Sequence, residues 1–166
     1  MAMFRLKNKW VLITGASSGI GAAAAQTFAA QGAKLILGAR RVDRLEKIAR
    51  AAKKNGAPAA EFQALDVAKT ASVEKFMRWA KAKLKAQPLQ VLINNAGGAH
   101  GLDAVAEAKD ADWETTFQTN VLGLLRVTRA ALPLLAREAG ASIINIGSIA
   151  GRTAYAGAAA YCAAAQ

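Results

Sequence analysis

The stretch Thr14-Gly15-Ala16-Ser17-Ser18-Gly19-Ile20-Gly21 carries three glycines in the spacing GxxxGxG, directly after the apolar run Trp10 to Thr14. Glycines in such a turn let the backbone bend tightly and approach a pyrophosphate with no Cβ in the way. A helix starting there adds free N–H groups and the positive end of its dipole, both suited to phosphate. Gly15, Ser17, Ser18, Gly19, Ile20 and Gly21 are therefore candidate nucleotide contacts. A tight strand-to-helix turn without a ligand is the plain alternative. The placement in the first strand–helix unit, with small residues at Ala22 to Ala25, favours the nucleotide.

A second stretch bears on which nucleotide. Dinucleotide-binding folds often place an acid at the end of the second strand, where it takes the ribose 2′-OH. Here that position reads Gly38-Ala39-Arg40-Arg41, with no acid. A guanidinium can hold a 2′-phosphate as a bidentate partner, whereas a carboxylate would repel it. NADP is preferred over NAD on this ground. The alternative is that Arg40 and Arg41 merely begin a solvated helix.

The elements that must position these residues alternate regularly. Trp10 to Thr14 reads as a strand, then Ser18 to Ala30 as a helix stopped by Gly32, and Lys34 to Gly38 as the second strand. A helix to Asn55-Gly56 puts Arg41, Arg44, Lys47, Arg50, Lys53 and Lys54 away from Leu45, Ile48 and Ala52, as a solvated amphipathic helix does. Glu61 to Leu65 reads as the third strand, Thr70 to Lys85 as an amphipathic helix, and Leu89 to Ile93 as the fourth strand. A long helix is expected from about Asp112 to Glu138, with Gly123 marking close packing or a kink and Pro133 a bend or an end. Ser142 to Ile146 is the fifth strand, and Gly157 to Gln166 the first turns of a last helix. Such alternation predicts an α/β fold, a Rossmann-like doubly wound parallel sheet in the order 3-2-1-4-5. Residues 1–166 are expected to form one nucleotide-binding domain.

Bulk properties narrow the partners. No apolar stretch reaches the roughly 20 residues that cross a bilayer, and the start runs into a glycine turn rather than a cleavage site. A cytoplasmic protein with no membrane partner is expected. One His and one Cys argue against a metal site, and Cys162 alone allows no intrachain disulfide. The net charge of +11 would suit nucleic acid. The chain lacks interleaved aromatics and any helix-turn-helix signal, so no nucleic-acid partner is expected.

Taken together, the motifs resemble the short-chain dehydrogenase/reductase family. TGASSGIG (14–21) is similar to its cofactor turn, and Asp66-Val67 to the pair that contacts the adenine. Asn94-Asn95-Ala96-Gly97 is similar to the segment supporting the cofactor ribose and the central sheet, which makes Asn94, Ala96 and Gly97 cofactor candidates. Asn120 in TNVLG resembles the asparagine that holds a water of the proton relay. Ser148 in NIGSIAG and Tyr161 in AAYCAAA stand thirteen residues apart, as the family's catalytic pair does. The stretches 112–120, 128–133, 143–151 and 154–163 further resemble the branch of NADP-dependent 3-hydroxy acid (serine) dehydrogenases. The resemblance implies a small-molecule substrate whose hydroxyl and carbonyl forms are interconverted. Homo-oligomers through the helix near Asp112 and the helix bearing the tyrosine are implied as well.

The same resemblance assigns Tyr161 as base and Ser148 as donor to the substrate oxygen, with Tyr155 a less suitable base. A free tyrosine ionises near pH 10, so about one in a thousand is ionised at neutral pH. The family's remedy is a lysine four residues after the tyrosine, which favours tyrosinate and binds the ribose. That position is Ala165 here. Family members also run longer, so the chain reads as truncated, with Ser142 to Ile146 left as an apolar sheet edge prone to aggregation. Two readings follow: an impaired NADP-dependent oxidoreductase, or a module that binds NADP(H) without turnover.

Overall fold

Apolar runs without a polar face fold as strands when both sides of the sheet are to be covered. The computed structural model describes residues 6–137 and 139–165, and in it five such runs form one parallel sheet. The strands are β1 (Trp10–Thr14), β2 (Lys34–Ala39), β3 (Ala60–Ala64), β4 (Val91–Asn94) and β5 (Ser142–Asn145). Their order is β3-β2-β1-β4-β5, the doubly wound order expected from the alternation. The register pairs Leu12 with Ile36 and Leu92, and Asn94 with Asn145.

Successive residues of each strand feed opposite cores, as the two-residue period demands. Leu12, Ile36 and Leu92 pack under α3 (Thr70–Leu84) and α5 (Gly123–Leu135), against Phe76, Met77, Val127 and Leu134. Val11, Ile13, Leu35, Leu37 and Ile93 pack under α1 (Gly19–Ala30) and α2 (Val42–Lys54). The contacts from α1 and α2 are largely Ala25, Ala29, Ala49 and Ala52, small residues that let a helix lie close to the sheet. On α2, Leu45, Ala49 and Ala52 are buried while Arg44, Lys47, Arg50, Lys53 and Lys54 are exposed, so the basic run is a solvated face over its own length.

Two stretches differ from the sequence expectation. Of the run Leu89 to Ile93, the strand itself begins at Val91; Gln90 already bonds to Trp10 and Ser142, whereas the amide of Leu89 donates to the carbonyl of Leu134. The long helix is two helices, α4 (Asp110–Phe117) and α5, joined through a π-helical turn at Gln118–Leu122. Gly123 starts α5 where a Cβ would lie 2.8 Å from Cγ2 of Val67, so close packing is its reason. Pro133 sits two residues before the end of α5. The expected ends of two helices at Glu138 and Gln166 lie outside the described residues. The last described helix is α6 (Ala159–Ala164).

β5 pairs with β4 alone, and Ile143, Ile144 and Ile146 are each about two-fifths exposed. Among the described residues no helix is long and apolar enough to cross a membrane.

Candidate active site

The carboxyl ends of β1 and β4 are fastened by a threonine. Thr14 is 1% exposed; its hydroxyl donates to the carbonyl of Ile93 (3.3 Å) and accepts from the amides of Asn95 and Ala96 (3.0 Å each). Asn95 returns the link, its Nδ2 donating to the carbonyls of Thr14 (3.0 Å) and Gly15 (3.3 Å). The turn after β1 is pressed against this junction. A Cβ on Gly21 would sit 2.5 Å from the Gly15 carbonyl oxygen and 2.6 Å from Asn95 Nδ2. Gly15 adopts φ +65, which a larger residue reaches only with strain. Thr14 and Asn95 stand within two motifs named from sequence but were not among the individual candidates. The signal available was a hydroxyl at the end of an apolar strand, which must find partners when buried.

The far side of the turn is open. Nothing lies within 4 Å of a Cβ built on Gly19, and Ile20 is 63% exposed. α1 begins after Ser18 with no side-chain cap and no acid in its first turn. Its first amides are thus left for an anion. Arg41 reaches across from the end of β2, and its Nη2 donates to the hydroxyls of Ser18 (2.7 Å) and Ser17 (3.3 Å). Arg40 is exposed and makes no such reach. An uncapped helix start with a guanidinium beside it fits the phosphates of a dinucleotide, including one on a ribose 2′-oxygen.

The next candidates line the ends of β3 and β4. Asp66 is held in a local turn: its Oδ1 accepts from the Ala68 amide at 3.1 Å, its amide donates to Ser72 Oγ at 2.9 Å, and Lys69 lies 3.7 Å from Oδ2. Val67 is buried against Gly123, so any contact it makes with a ligand would come from its main chain. Asn94 is buried too, its Nδ2 donating to Thr128 Oγ1 and Asn145 Oδ1, both at 2.9 Å. It ties β4 to β5 and α5 rather than facing the turn. Ala96 is half-buried beside Gly15. Gly97 leaves room for Asn120, whose Oδ1 would lie 2.9 Å from a Cβ there. The Asn120 amide accepts from the nitrogen and donates to the carbonyl oxygen of Gly98, both at 2.9 Å. It does so from the π-helical turn, a distortion common at functional sites.

Ser148 follows β5 and caps the 3₁₀ turn Ile149–Gly151, its hydroxyl accepting from the Ala150 amide at 3.2 Å. Tyr161 is half-buried on α6. A small cluster of Ala150, Ala158 and Cys162 joins the turn to the helix, and Tyr161 and Ala165 pack against it. The residue four beyond Tyr161 is therefore beside the same cluster, one helical turn away. Tyr155 is 55% exposed in the intervening loop. That loop touches the one after β4, since a Cβ on Gly157 would meet the Leu102 carbonyl oxygen at 2.7 Å. Every large apolar side chain more than half exposed among the described residues lies beyond the carboxyl end of β1, β4 or β5: Ile20 in the first turn of α1, Leu102 and Val105 after β4, and Ile149 and Tyr155 after β5. These side chains follow the carboxyl ends of the strands, the end at which doubly wound sheets usually bind ligands.

Residues 9–165 match the family described as short chain dehydrogenase, and the chain belongs to that family. It is 40% identical over 161 residues to an NADP-dependent 3-hydroxy acid dehydrogenase of Schizosaccharomyces pombe, covering 96% of this chain and 61% of that protein. It is also 40% identical over 153 residues to a sulfoacetaldehyde reductase of Chromohalobacter salexigens, covering 89% of this chain and 57% of that one. Among solved structures it is similar to the NADH-dependent reductase A1-R′ complexed with NAD, with TM-score 0.89, 31% identity and coverage of 98% and 69%. The chain thus spans about three-fifths of the length of these two relatives.

Proposed function

We propose that this chain binds NADP(H) on the turn 14–21 and that the site serves oxidoreduction between a hydroxyl and a carbonyl of a small 3-hydroxy acid. The observation that carries the reading is Arg41 bonded to Ser18 and Ser17 beside an uncapped helix start. A likeness to an NADH-dependent reductase means the fold alone leaves the nucleotide open. The residues after β2 then decide it, and a guanidinium there favours the 2′-phosphate. The name of the fission-yeast relative points the same way.

When bound, the nicotinamide supplies or takes the hydride. Ser148 positions the substrate oxygen by donating a hydrogen bond to it, and Tyr161 takes the hydroxyl proton during oxidation or returns it during reduction. Asp66, Val67, Asn94, Ala96 and Gly97 shape the adenine and ribose ends, with Asn94 acting through the sheet it ties together. Asn120 anchors the loop after β4 and lies on the proton path that the resemblance implies. The exposed Leu125 and Leu132 of α5 fit self-association through that helix.

One observation favours a second reading. Ala165 has no charge to offer Tyr161, so the chain would hold NADP(H) with little turnover. Both readings share the nucleotide site, and one substitution tests it. Arg41→Ser should weaken NADPH binding roughly tenfold or more, the effect of one lost charge-assisted hydrogen bond, and leave NADH nearly untouched. Fluorescence titration of the bound dinucleotide reads both. Equal losses for the two nucleotides would remove the 2′-phosphate from the account.

A further inference from the structure

We infer that Arg152 holds the anionic end of the substrate; the inference rests on Ser148 and Tyr161 facing that substrate and adds the charge it carries. The compounds in the names of the two relatives share a layout. A 3-hydroxy acid has its reacting carbon, one further carbon and then a carboxylate, and sulfoacetaldehyde has its carbonyl carbon, one further carbon and then a sulfonate. A site for either must place a cation a short, fixed distance from the hydroxyl that positions the reacting oxygen.

Arg152 is placed in the chain to meet that condition. Lys109 shares a small cleft with two carboxylate residues, Asp103 and Asp112. Arg126 donates to the carbonyl and side chain of Gln118. His100 lines the same cleft as Lys109. Arg152 is exposed and, among the described residues, has no carboxylate partner. It closes the 3₁₀ turn that Ser148 opens, and two backbone bonds fix the turn: Gly151 to the Ser148 carbonyl (3.2 Å) and Arg152 to that of Ile149 (2.9 Å). At about 2 Å of rise per residue the two ends of the turn stand about 8 Å apart, within reach of an arginine side chain and a three-carbon acid between them. A guanidinium also suits carboxylate and sulfonate alike, since both present paired oxygens to its fork.

The test uses the whole chain with saturating NADP+ and two probes, 3-hydroxypropionate and its uncharged methyl ester, followed by ligand-observed NMR. The acid should bind more tightly than the ester. Arg152→Ala should weaken the acid roughly tenfold or more and spare the ester, and Arg152→Lys should recover part of the loss. NADPH affinity, read by fluorescence in the same samples, should stay unchanged in both variants. Equal binding of acid and ester, an unchanged ratio in Arg152→Ala, or binding of neither probe beside bound nucleotide would overturn the inference. Failure of the nucleotide itself to bind would instead bring down the function on which it rests.

Discussion

Gly21→Ala should lower NADPH affinity by roughly ten- to a hundredfold, because overpacking of this kind costs about 1–3 kcal/mol and the strain falls on the turn that holds the phosphates. The added Cβ would meet the Gly15 carbonyl at 2.5 Å and Asn95 Nδ2 at 2.6 Å, and neither can withdraw freely. The Gly15 carbonyl is backbone, and Asn95 is pinned by its bonds to Thr14 and Gly15. Thermal melting should move down as well, by several degrees at about 2–4 °C per kcal/mol. Gly19→Ala is the control. Its Cβ meets no protein atom within 4 Å, so for folding stability only the strain of φ +53, about 1–2 kcal/mol, applies. If melting finds the two variants equally affected, close packing of the turn on β4 is not what shapes the phosphate site.

Ala165→Lys should raise turnover of NADP+ with 3-hydroxypropionate by about a hundredfold, close to 2.7 kcal/mol of barrier. α6 ends at Ala164, and Ala165 packs against the cluster that also carries Tyr161, so a lysine there adds its charge on the tyrosine's side of the helix. An adjacent cation favours the ionised phenol that removes the hydroxyl proton. Adding Tyr161→Phe to the lysine variant should return the rate to its starting value. NADPH formation, followed by absorbance, checks both steps. A lysine variant that binds NADP+ and yet turns over no faster would leave the binding-module reading in place and remove Tyr161 as the base.

Strand order and both core layers were legible because they follow from local pattern. Runs such as Val11-Leu12-Ile13 and Leu35-Ile36-Leu37 have no polar face, and only a sheet covered on both sides buries them. The glycine turn was legible for the same reason, since its spacing lies within eight residues. What escaped depends on distant partners. Leu89 looks like a strand residue, but its amide is drawn to Leu134, forty-five residues away. The π-helical turn at Gln118–Leu122 interrupts what the sequence presents as one long helix, with no glycine or proline inside the turn to mark it. Thr14 and Asn95 matter only once the β1–β4 register brings them together. Likewise, two adjacent arginines look alike in sequence, and only the path of β2 sends Arg41 to the serines and leaves Arg40 in solvent.

The measurement closest to the central claim is a fluorescence titration of the purified, monodisperse chain with NADPH and, separately, with NADH. Saturable binding is expected with both, tighter for NADPH by roughly tenfold or more, because Arg41 gains a charged partner only from the 2′-phosphate. Equal affinities, or tighter binding of NADH, would contradict the reading of the Arg41–Ser18 corner as the site that selects the nucleotide.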